Sequence, residues 1–379
     1  YQSTGDYLTA LGKEYTPTVG SIGGEWMVLG LARSGREVPA GYYDNVVSYV
    51  NQKIDQQGRL HSSKSTDNSR LILALTAMGK DVTDVGGHNL LQGLTDMKYV
   101  KKQGINGPIW ALIALDCHGY EVPTAPTGAD PVTRQKLIEA ILDGRLADGG
   151  WSISGRVSDA DMTGMAIQAL APYYKTQKEV QAAVDQALQL LSKLQEPDGG
   201  FYTLDTNGSP YANSESCAQV VVALTALGLD PHTDSRFIKQ GHSVLDALCS
   251  YVVAGGGFCH LTGGQRNGMA TEQGYYALTA YFRLKDGKTG LYDMSDVTIQ
   301  KGNQEDPTKP TDPAKPTDPS KPTDPAAPTD QPTNSNKKPN NPATGDDSPV
   351  GLYTGILILG LLAAAALAAP ELKKKRAKK

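Results

Sequence analysis

The sequence ALTAMG at residues 74–79 returns almost unchanged as ALTALG at residues 223–228, and ALIALD at residues 111–116 is a third version of it. Each copy ends a run of small and apolar residues that has the spacing of a helix. Repetition of this kind indicates one supersecondary unit that the chain uses several times. The three copies therefore predict further helices of the same type.

Six segments share this pattern, and we predict an inner helix at each of residues 25–34, 68–78, 108–118, 161–172, 214–227 and 271–282. Between them lie amphipathic stretches such as residues 180–194, which have one apolar stripe. Helices that are apolar on most faces must be covered all round, whereas helices with one stripe can form the cover. Since strand-like alternation is nearly absent, we predict an all-α fold in which about six inner helices form a closed ring inside about six outer helices.

Glycine turns precede several of these inner helices. They read DGGW at residues 148–151, DGGF at 198–201 and GGGF at 255–258, and Gly58-Arg59-Leu60 is a degenerate fourth. Glycine permits a positive φ, and the aromatic residue that follows can pin the turn onto the helix ends. The turns predict a regular alternation of outer helix, turn and inner helix through residues 1–300.

Composition excludes some classes of protein. A net charge of −4 over 379 residues is not the electrostatic footprint of a nucleic-acid-binding protein. The four cysteines, Cys117, Cys217, Cys249 and Cys259, are too few for a disulfide scaffold. We interpret them as small buried hydrophobes, although a Cys249–Cys259 pair remains open. No Cys or His pair has the spacing of a zinc site, so we predict no metal.

The composition changes abruptly at about residue 301. The sequence KPTDP occurs at residues 309–313, 315–319 and 321–325. Proline fixes φ and removes amide donors, so this segment favours polyproline II over helix or sheet. At ~3.1 Å per residue, residues 301–340 would reach on the order of 120 Å. We predict a disordered, Pro-rich spacer here.

The last residues carry a targeting pattern. NPATG at residues 341–345 is followed by an apolar run at 350–369 and by KKKRAKK at 373–379. This order resembles the sorting signal of Gram-positive wall proteins, with Asn341 in place of the usual leucine. The resemblance implies that a sortase cleaves between Thr344 and Gly345 and joins Thr344 to peptidoglycan. Residues 350–369 would then be a helix that anchors the precursor in the membrane until the sortase removes it.

A permanent membrane anchor is the alternative for the same segment. Twenty apolar residues at ~1.5 Å rise span about 30 Å, the thickness of a bilayer core, and the trailing lysines would keep the C-terminus inside. With either kind of anchor, we expect the ring of helices in residues 1–300 to be extracellular at the cell surface. Because export requires a signal peptide and the sequence begins at Tyr1 without one, we also expect an upstream segment.

The repeats at residues 23–291 resemble a known superfamily. Inner helices that end in Ala-Leu-x-Ala-Leu-Gly, together with the DGG turns, are similar to the α/α-toroid of terpene (squalene) cyclases and of protein prenyltransferase β-subunits. They are also similar to the helical domain of the cobalamin carriers transcobalamin and intrinsic factor. The resemblance is closest to wall-anchored bacterial proteins with prenyltransferase-like repeats. It implies the fold, but one fold serves enzymes and carriers alike.

One motif supports an enzymatic alternative. Class II terpene cyclases carry Asp-x-Asp-Asp-Thr, which Asp159, Asp161 and Thr163 match while Met162 replaces the last Asp. The resemblance would make Asp161 the general acid, with Asp159 beside it. We favour another interpretation, in which these residues are a helix N-cap with acids in the first turn, and a ligand contact is a further alternative. The zinc of the prenyltransferases is not expected, because Asp116-Cys117-His118 has the wrong spacing.

A toroid directs the N-terminal ends of its inner helices toward one mouth. Polar and aromatic residues near those ends would then form a concave binding site, although acids there also serve the helix dipoles of a purely structural mouth. The candidate ligand-binding residues are Trp26, Asp67, Arg70, Trp110, Asp161, Tyr211, Glu215, Glu272, Gln273 and Tyr275.

The sequence favours binding over catalysis. We expect the mouth to bind a bulky extracellular ligand, a corrinoid, an isoprenoid or a glycan, without transforming it. No cofactor is predicted, and cobalamin is a candidate only as a ligand. The alternatives are a cyclase-like or prenyltransferase-like enzyme and an adhesin that uses its outer face. Met162, a single helical domain and few aromatic residues argue against the enzyme.

Overall fold

The computed structural model describes residues 1–20, 22–153, 155–204 and 210–300. The spacer, the sorting signal and the apolar run at 350–369 all lie outside these residues. The described chain contains twelve α-helices: α1 Gln2–Glu14, α2 Glu25–Arg33, α3 Tyr42–Lys53, α4 Ser65–Ala77, α5 Met97–Val100, α6 Asn106–Asp116, α7 Arg134–Asp143, α8 Ala160–Leu170, α9 Lys178–Leu194, α10 Ser214–Ala226, α11 Val244–Ser250 and α12 Gly268–Lys285.

The six even-numbered helices form the predicted ring. Helix α2 packs on α4, α4 on α6, α6 on α8, α8 on α10, α10 on α12, and α12 returns to α2. These helices are buried on almost every face; in α6 every residue from Gly107 to Leu115 is buried. The outer helices cover the ring, with α7 on α6, α9 on α8, α11 on α10, and α1 across α2 and α12. The prediction of an α/α-toroid is confirmed.

Two of the glycine turns are fastened to the inner helices that follow them. Gly149 has φ +96°, which brings Trp151 back over the start of α8. The Trp151 amide donates to Thr163 Oγ1 at 3.1 Å, and the Phe258 amide donates to Thr271 Oγ1 at 3.0 Å in the same way. The ring of each aromatic is fully buried. The turns therefore work as predicted, and Thr163 is part of one.

Three short hairpins are inserted into the loops. They pair β1 Tyr202–Leu204 with β2 Pro210–Ala212, β3 Ile238–Lys239 with β4 His242–Ser243, and β5 Phe258–Cys259 with β6 Arg266–Asn267. The first and the third precede α10 and α12, so they border the N-terminal ends of the ring. Their strands are too short to show as alternation in the sequence.

A closing segment, residues 288–300, crosses the C-terminal ends of the ring. The buried Arg33 on α2 donates to the carbonyls of Leu291 at 3.0 Å and Asp293 at 2.8 Å. Arg33 and Arg283 both bind the Asp296 carboxylate, at 2.8 and 2.5 Å. Buried guanidinium groups need such partners because an unpaired buried charge is costly. The segment is thus attached to both α2 and α12.

The cysteines are free throughout the described residues. Cys117, Cys217 and Cys259 are buried, as their interpretation as small hydrophobes predicts, whereas Cys249 is exposed. Burial raises the pKa of the Cys117 and Cys217 thiols to about 12. Cys259 instead donates from Sγ to the Tyr251 carbonyl at 3.2 Å, and it forms no disulfide with Cys249.

None of the helices in residues 1–300 has the length and apolar character that crossing a bilayer requires.

Candidate functional site

The mouth, as we use the term, is the face formed by the N-terminal ends of the six inner helices and the loops before them. Five acidic residues lie in the first two turns of these helices: Glu25, Asp67, Asp161, Glu215 and Glu272. Negative charge at these positions is favoured by the helix dipole. The structure divides them between two clusters.

The first acidic cluster joins α2, α4 and α12. Asp67 and Arg70 form an ion pair at 2.9 Å. Glu25 is buried and accepts the Gly20 amide at 3.0 and 3.1 Å. Glu272 is also buried and accepts the Gly23 amide. Both glutamates therefore bind the backbone of the loop before α2.

Burial controls the charge of these two glutamates. It raises the pKa of Glu272 to about 8, with the negative charge of Glu25 adding to the shift and the Gly23 amide and Arg70 opposing it. The pKa of Glu25 is raised by the same loss of water and lowered in part by Arg70. Neighbouring buried carboxyls cannot both ionise cheaply. Near pH 7 Glu272 therefore holds a proton.

The second acidic cluster lies at the starts of α8 and α10. Asp159 is the N-cap of α8 and accepts the Met162 amide at 2.7 Å, which confirms the cap interpretation for this residue. Glu215 accepts from His260 Nδ1 at 2.9 Å. Asp161 lies between them, partly exposed, with its Oδ1 buried and without a hydrogen-bond partner in the described residues. The cluster includes Ser216, whose buried hydroxyl lies close enough to Asp161 to lower the pKa of that carboxyl.

The electrostatics of the second cluster bring the pKa of Asp161 close to neutral pH. Burial raises the pKa of Asp161 to about 7, and the negative charges of Asp159 and Glu215 add to the effect, while Ser216 and His260 oppose it. A carboxyl that titrates near neutral pH can donate or accept a hydrogen bond under mild conditions. Asp161 is thus suited to bind a hydroxyl group and also to transfer a proton.

Aromatic rings and amides fill the centre of the ring beneath the mouth. We call this layer the partition; its members are Trp26, Trp110, Gln168, Gln219, Gln273, Tyr276 and Tyr292. The ring centroids of Trp26 and Trp110 are 5.0 Å apart, and Tyr292 meets Trp110 edge-on at 5.9 Å. Trp110 is buried, whereas Trp26, in the first turn of α2, is partly exposed.

The amides of the partition form a chain across three helices. Gln168 on α8 donates to Gln219 Oε1 on α10 at 3.0 Å. Gln219 in turn donates to Gln273 Oε1 at 2.9 Å and to the Tyr276 hydroxyl at 2.6 Å, both on α12. Buried amides persist in an apolar ring only when they are paired in this way.

The structure separates the predicted binding residues by position. Asp161, Glu215 and Tyr211 come together, since the Tyr211 ring lies 5.7 Å from that of His260. Glu272 lies at the mouth but is covered by the Gly23 loop. Trp110 is buried in the partition, and Tyr275 lies away from the mouth: it is buried against Leu8, Met27 and Leu31 and stacks on Tyr1 at 5.4 Å.

Exposed apolar side chains border part of the mouth, and we call them the apolar rim. Of the seven large hydrophobic side chains exposed in the described residues, five lie shortly before an inner helix or in its first turn, and these five are 45–69% exposed. Clustered exposed apolar groups are typical of binding surfaces. The rim consists of Ile22, Ile153, Val157, Leu261 and Met269.

Sequence reasoning missed several residues at this face. His260 follows the GGGF turn by two positions, and only its place after that turn could have indicated it. Gln168 and Gln219 are isolated amides within apolar inner-helix runs, a signal that was available in the sequence. Across the described residues, no three His, Cys, Asp or Glu side chains are grouped as metal ligands.

The comparisons with known proteins concern the overall fold. No protein family profile matches the sequence, and no curated protein is similar to it. Among solved structures, the chain is similar to protein geranylgeranyltransferase-I of Candida albicans complexed with GGPP (13% identity, TM-score 0.49, 73% of this chain and 90% of that chain covered). It is also similar to the unsaturated glucuronyl hydrolase of Bacillus sp. GL1 (14% identity, TM-score 0.49, 76% and 97% covered). Both likenesses are too distant to say anything about a ligand or a reaction.

Proposed function

We propose that this chain is a cell-wall-anchored surface protein whose toroid mouth binds a glycan without transforming it. The observation that carries the proposal is the arrangement around Tyr276. Its ring lies 6.0 Å from that of Trp26 on α2, and burial, together with the charge of Asp161 on α8, raises the pKa of its hydroxyl. Since α2 and α8 lie on opposite sides of the ring, an aromatic face and a carboxyl group border the mouth from two sides.

Three ligand classes were expected, and this geometry favours the glycan. A glycan can lay the C–H face of one sugar on Trp26 while hydroxyls elsewhere in the sugar chain exchange hydrogen bonds with Asp161 and Glu215. The carboxyls and amides that lie beside the aromatic rings would stay unpaired against an isoprenoid, which has no hydroxyls along its length. The apolar rim adds the contact area that a bulky ligand requires. A corrinoid, whose amide fringe would also suit these carboxyls and amides, serves as the competing ligand in the test.

Replacing Trp26 with alanine should weaken glycan binding about 10- to 100-fold, because a rigid aromatic face supplies much of the binding free energy at such sites. Binding of wall and host glycans, corrinoids and polyprenols to the full chain would be measured by calorimetry. The matched control is Phe282→Ala, which removes an exposed aromatic from α12 that stacks on Tyr1. Glycan affinity that survives Trp26→Ala, or binding of polyprenols alone, would refute the proposal.

Asp161 supports acid catalysis as a second candidate function. Its pKa of about 7 and its neighbours Asp159 and Glu215 are what a general acid at neutral pH requires. Asp161→Asn separates the two functions, because asparagine keeps the hydrogen bonds but cannot donate a proton to a leaving group. If the protein only binds, affinity should fall less than in Trp26→Ala and no new reducing ends should form. Turnover by the native chain that Asp161→Asn abolishes would favour the enzyme.

Wall anchoring is tested by the C-terminus of the mature protein. We expect wall digests to contain Thr344 joined to peptidoglycan and no residue after it, as read by mass spectrometry. Thr344→Ala should leave residues 345–379 attached, whereas Thr333→Ala in the spacer should be processed normally. A mature protein that ends at Lys379 would show that the apolar run is a permanent anchor.

A further inference from the structure

A cavity of about 810 Å³ opens on the face opposite the mouth. It lies between the C-terminal ends of α6, α8 and α10, and the closing segment forms its remaining side. Its volume is within the range of small-molecule sites in proteins. Gln168 and Tyr292 of the partition line this cavity, and no residue of the two acidic clusters does.

Two polar groups without partners are found among its lining residues. Gln168 is 4% exposed, and while its Nε2 donates to Gln219, its Oε1 has no partner among the described residues. The Tyr292 hydroxyl is buried and lacks a partner in the same residues. Both side chains line the cavity. A buried polar group without a hydrogen bond costs about 1–3 kcal/mol, so two at one cavity indicate a binding partner.

Much of the remaining lining is apolar, including the aromatic rings of Tyr173 and Tyr174 and the side chains of Ile113, Ala169, Pro172, Leu227 and Leu291. Lys175, Lys288 and Asp293 also line the cavity, and these charged residues of both signs are exposed to solvent. The charged pair Asp116 and Arg134 is closed at 2.6 Å, and Asp116 also accepts the Tyr173 hydroxyl at 2.7 Å. The lining therefore matches a neutral, ring-bearing molecule rather than an ion.

We propose that this cavity is a second ligand site, for a neutral ring-bearing molecule that donates a hydrogen bond to Gln168 Oε1 and accepts one from the Tyr292 hydroxyl. A primary amide on an aromatic ring has both functions side by side. The site does not depend on the mouth, because no residue of either acidic cluster lines it.

Benzamide is the probe that tests this chemistry on the full chain. Nine heavy atoms at a typical ligand efficiency give a Kd on the order of 1 mM, which ligand-observed NMR measures. Methyl benzoate has the same ring and an acceptor but no donor, so it should bind several-fold more weakly. Tyr292→Phe should weaken benzamide binding about three- to tenfold with little change in melting temperature, because the hydroxyl has no partner to lose.

Two further variants complete the test. Ala226→Phe adds a ring at an exposed position on the cavity edge and should abolish binding without affecting the fold. Tyr42→Phe removes another buried hydroxyl without a partner, near Glu25 and Arg70 on the mouth side, and should leave benzamide affinity unchanged. Absence of benzamide binding, or equal binding by the native chain, Tyr292→Phe and Ala226→Phe, would overturn the proposal. Glycan binding by Tyr292→Phe shows separately whether the mouth functions.

Discussion

Replacing Trp110 with alanine should lower the free energy of unfolding by about 3–5 kcal/mol, the usual cost of truncating a buried tryptophan. Trp110 is 7% exposed and lies at the centre of the partition, between Trp26 and Tyr292. Its removal would leave a cavity that six closely packed helices cannot close. Urea denaturation of the full chain, followed by circular dichroism, measures the loss.

Trp26→Ala is the matched control for this experiment. Trp26 has the same ring and contacts the same neighbour, but it is partly exposed, so its loss should cost the fold clearly less. The sequence predicted that both tryptophans lie in the binding site. In the structure Trp110 is buried, and only Trp26 is partly exposed at the mouth. A loss below about 1 kcal/mol in Trp110→Ala would show that the partition does not fill the centre of the ring.

Stability should fall as pH rises from about 5 to 9, and Glu272→Gln should remove much of this dependence. The pKa of Glu272 is about 8 in the folded chain against an ordinary value of 4.5. Between these values the native state holds a proton that the unfolded chain releases, so each rise in pH favours unfolding until Glu272 ionises in both states. The contribution is on the order of 2–4 kcal/mol between pH 5 and 9.

Thermal unfolding across this pH range tests the prediction. Asp161 adds to the loss of stability with rising pH only up to its own pKa of about 7. The difference in melting temperature between the native chain and Glu272→Gln should therefore continue to change between pH 7 and 8. Above pH 8 it should become constant. Glu14→Gln, on the exposed face of α1, should follow the native curve. If Glu272→Gln also follows it, Glu272 is ionised at neutral pH and the Gly23 loop is held in another way.

The sequence by itself determined the elements and their order. The inner helices begin and end within a few residues of prediction because their signals are local. Asp159 is followed by a helix that it caps, and Gly149 permits the turn that Trp151 closes. Acidic residues are common at the N-terminal ends of helices because the dipole of the helix itself favours negative charge there. This effect requires no contact with another helix. Repetition of these signals was enough to predict a closed ring.

Only the tertiary structure decided which side chains meet. A helix that is apolar on most faces gives no indication of which face points to the centre of the ring. Trp110 turns toward the partition and Tyr275 turns toward α1, although both were assigned to the mouth. Their directions follow from the neighbouring helices that pack against each face, contacts that no local pattern encodes.

Contacts between distant parts of the chain set the remaining features. Glu272 is covered because a loop about 250 residues earlier in sequence donates an amide to it. Arg33 is bound by a closing segment that follows the last helix, and the lining of the second cavity depends on that contact. Burial by such distant partners also decides which carboxyls keep their protons, since desolvation depends on the packed fold and not on the sequence around each residue.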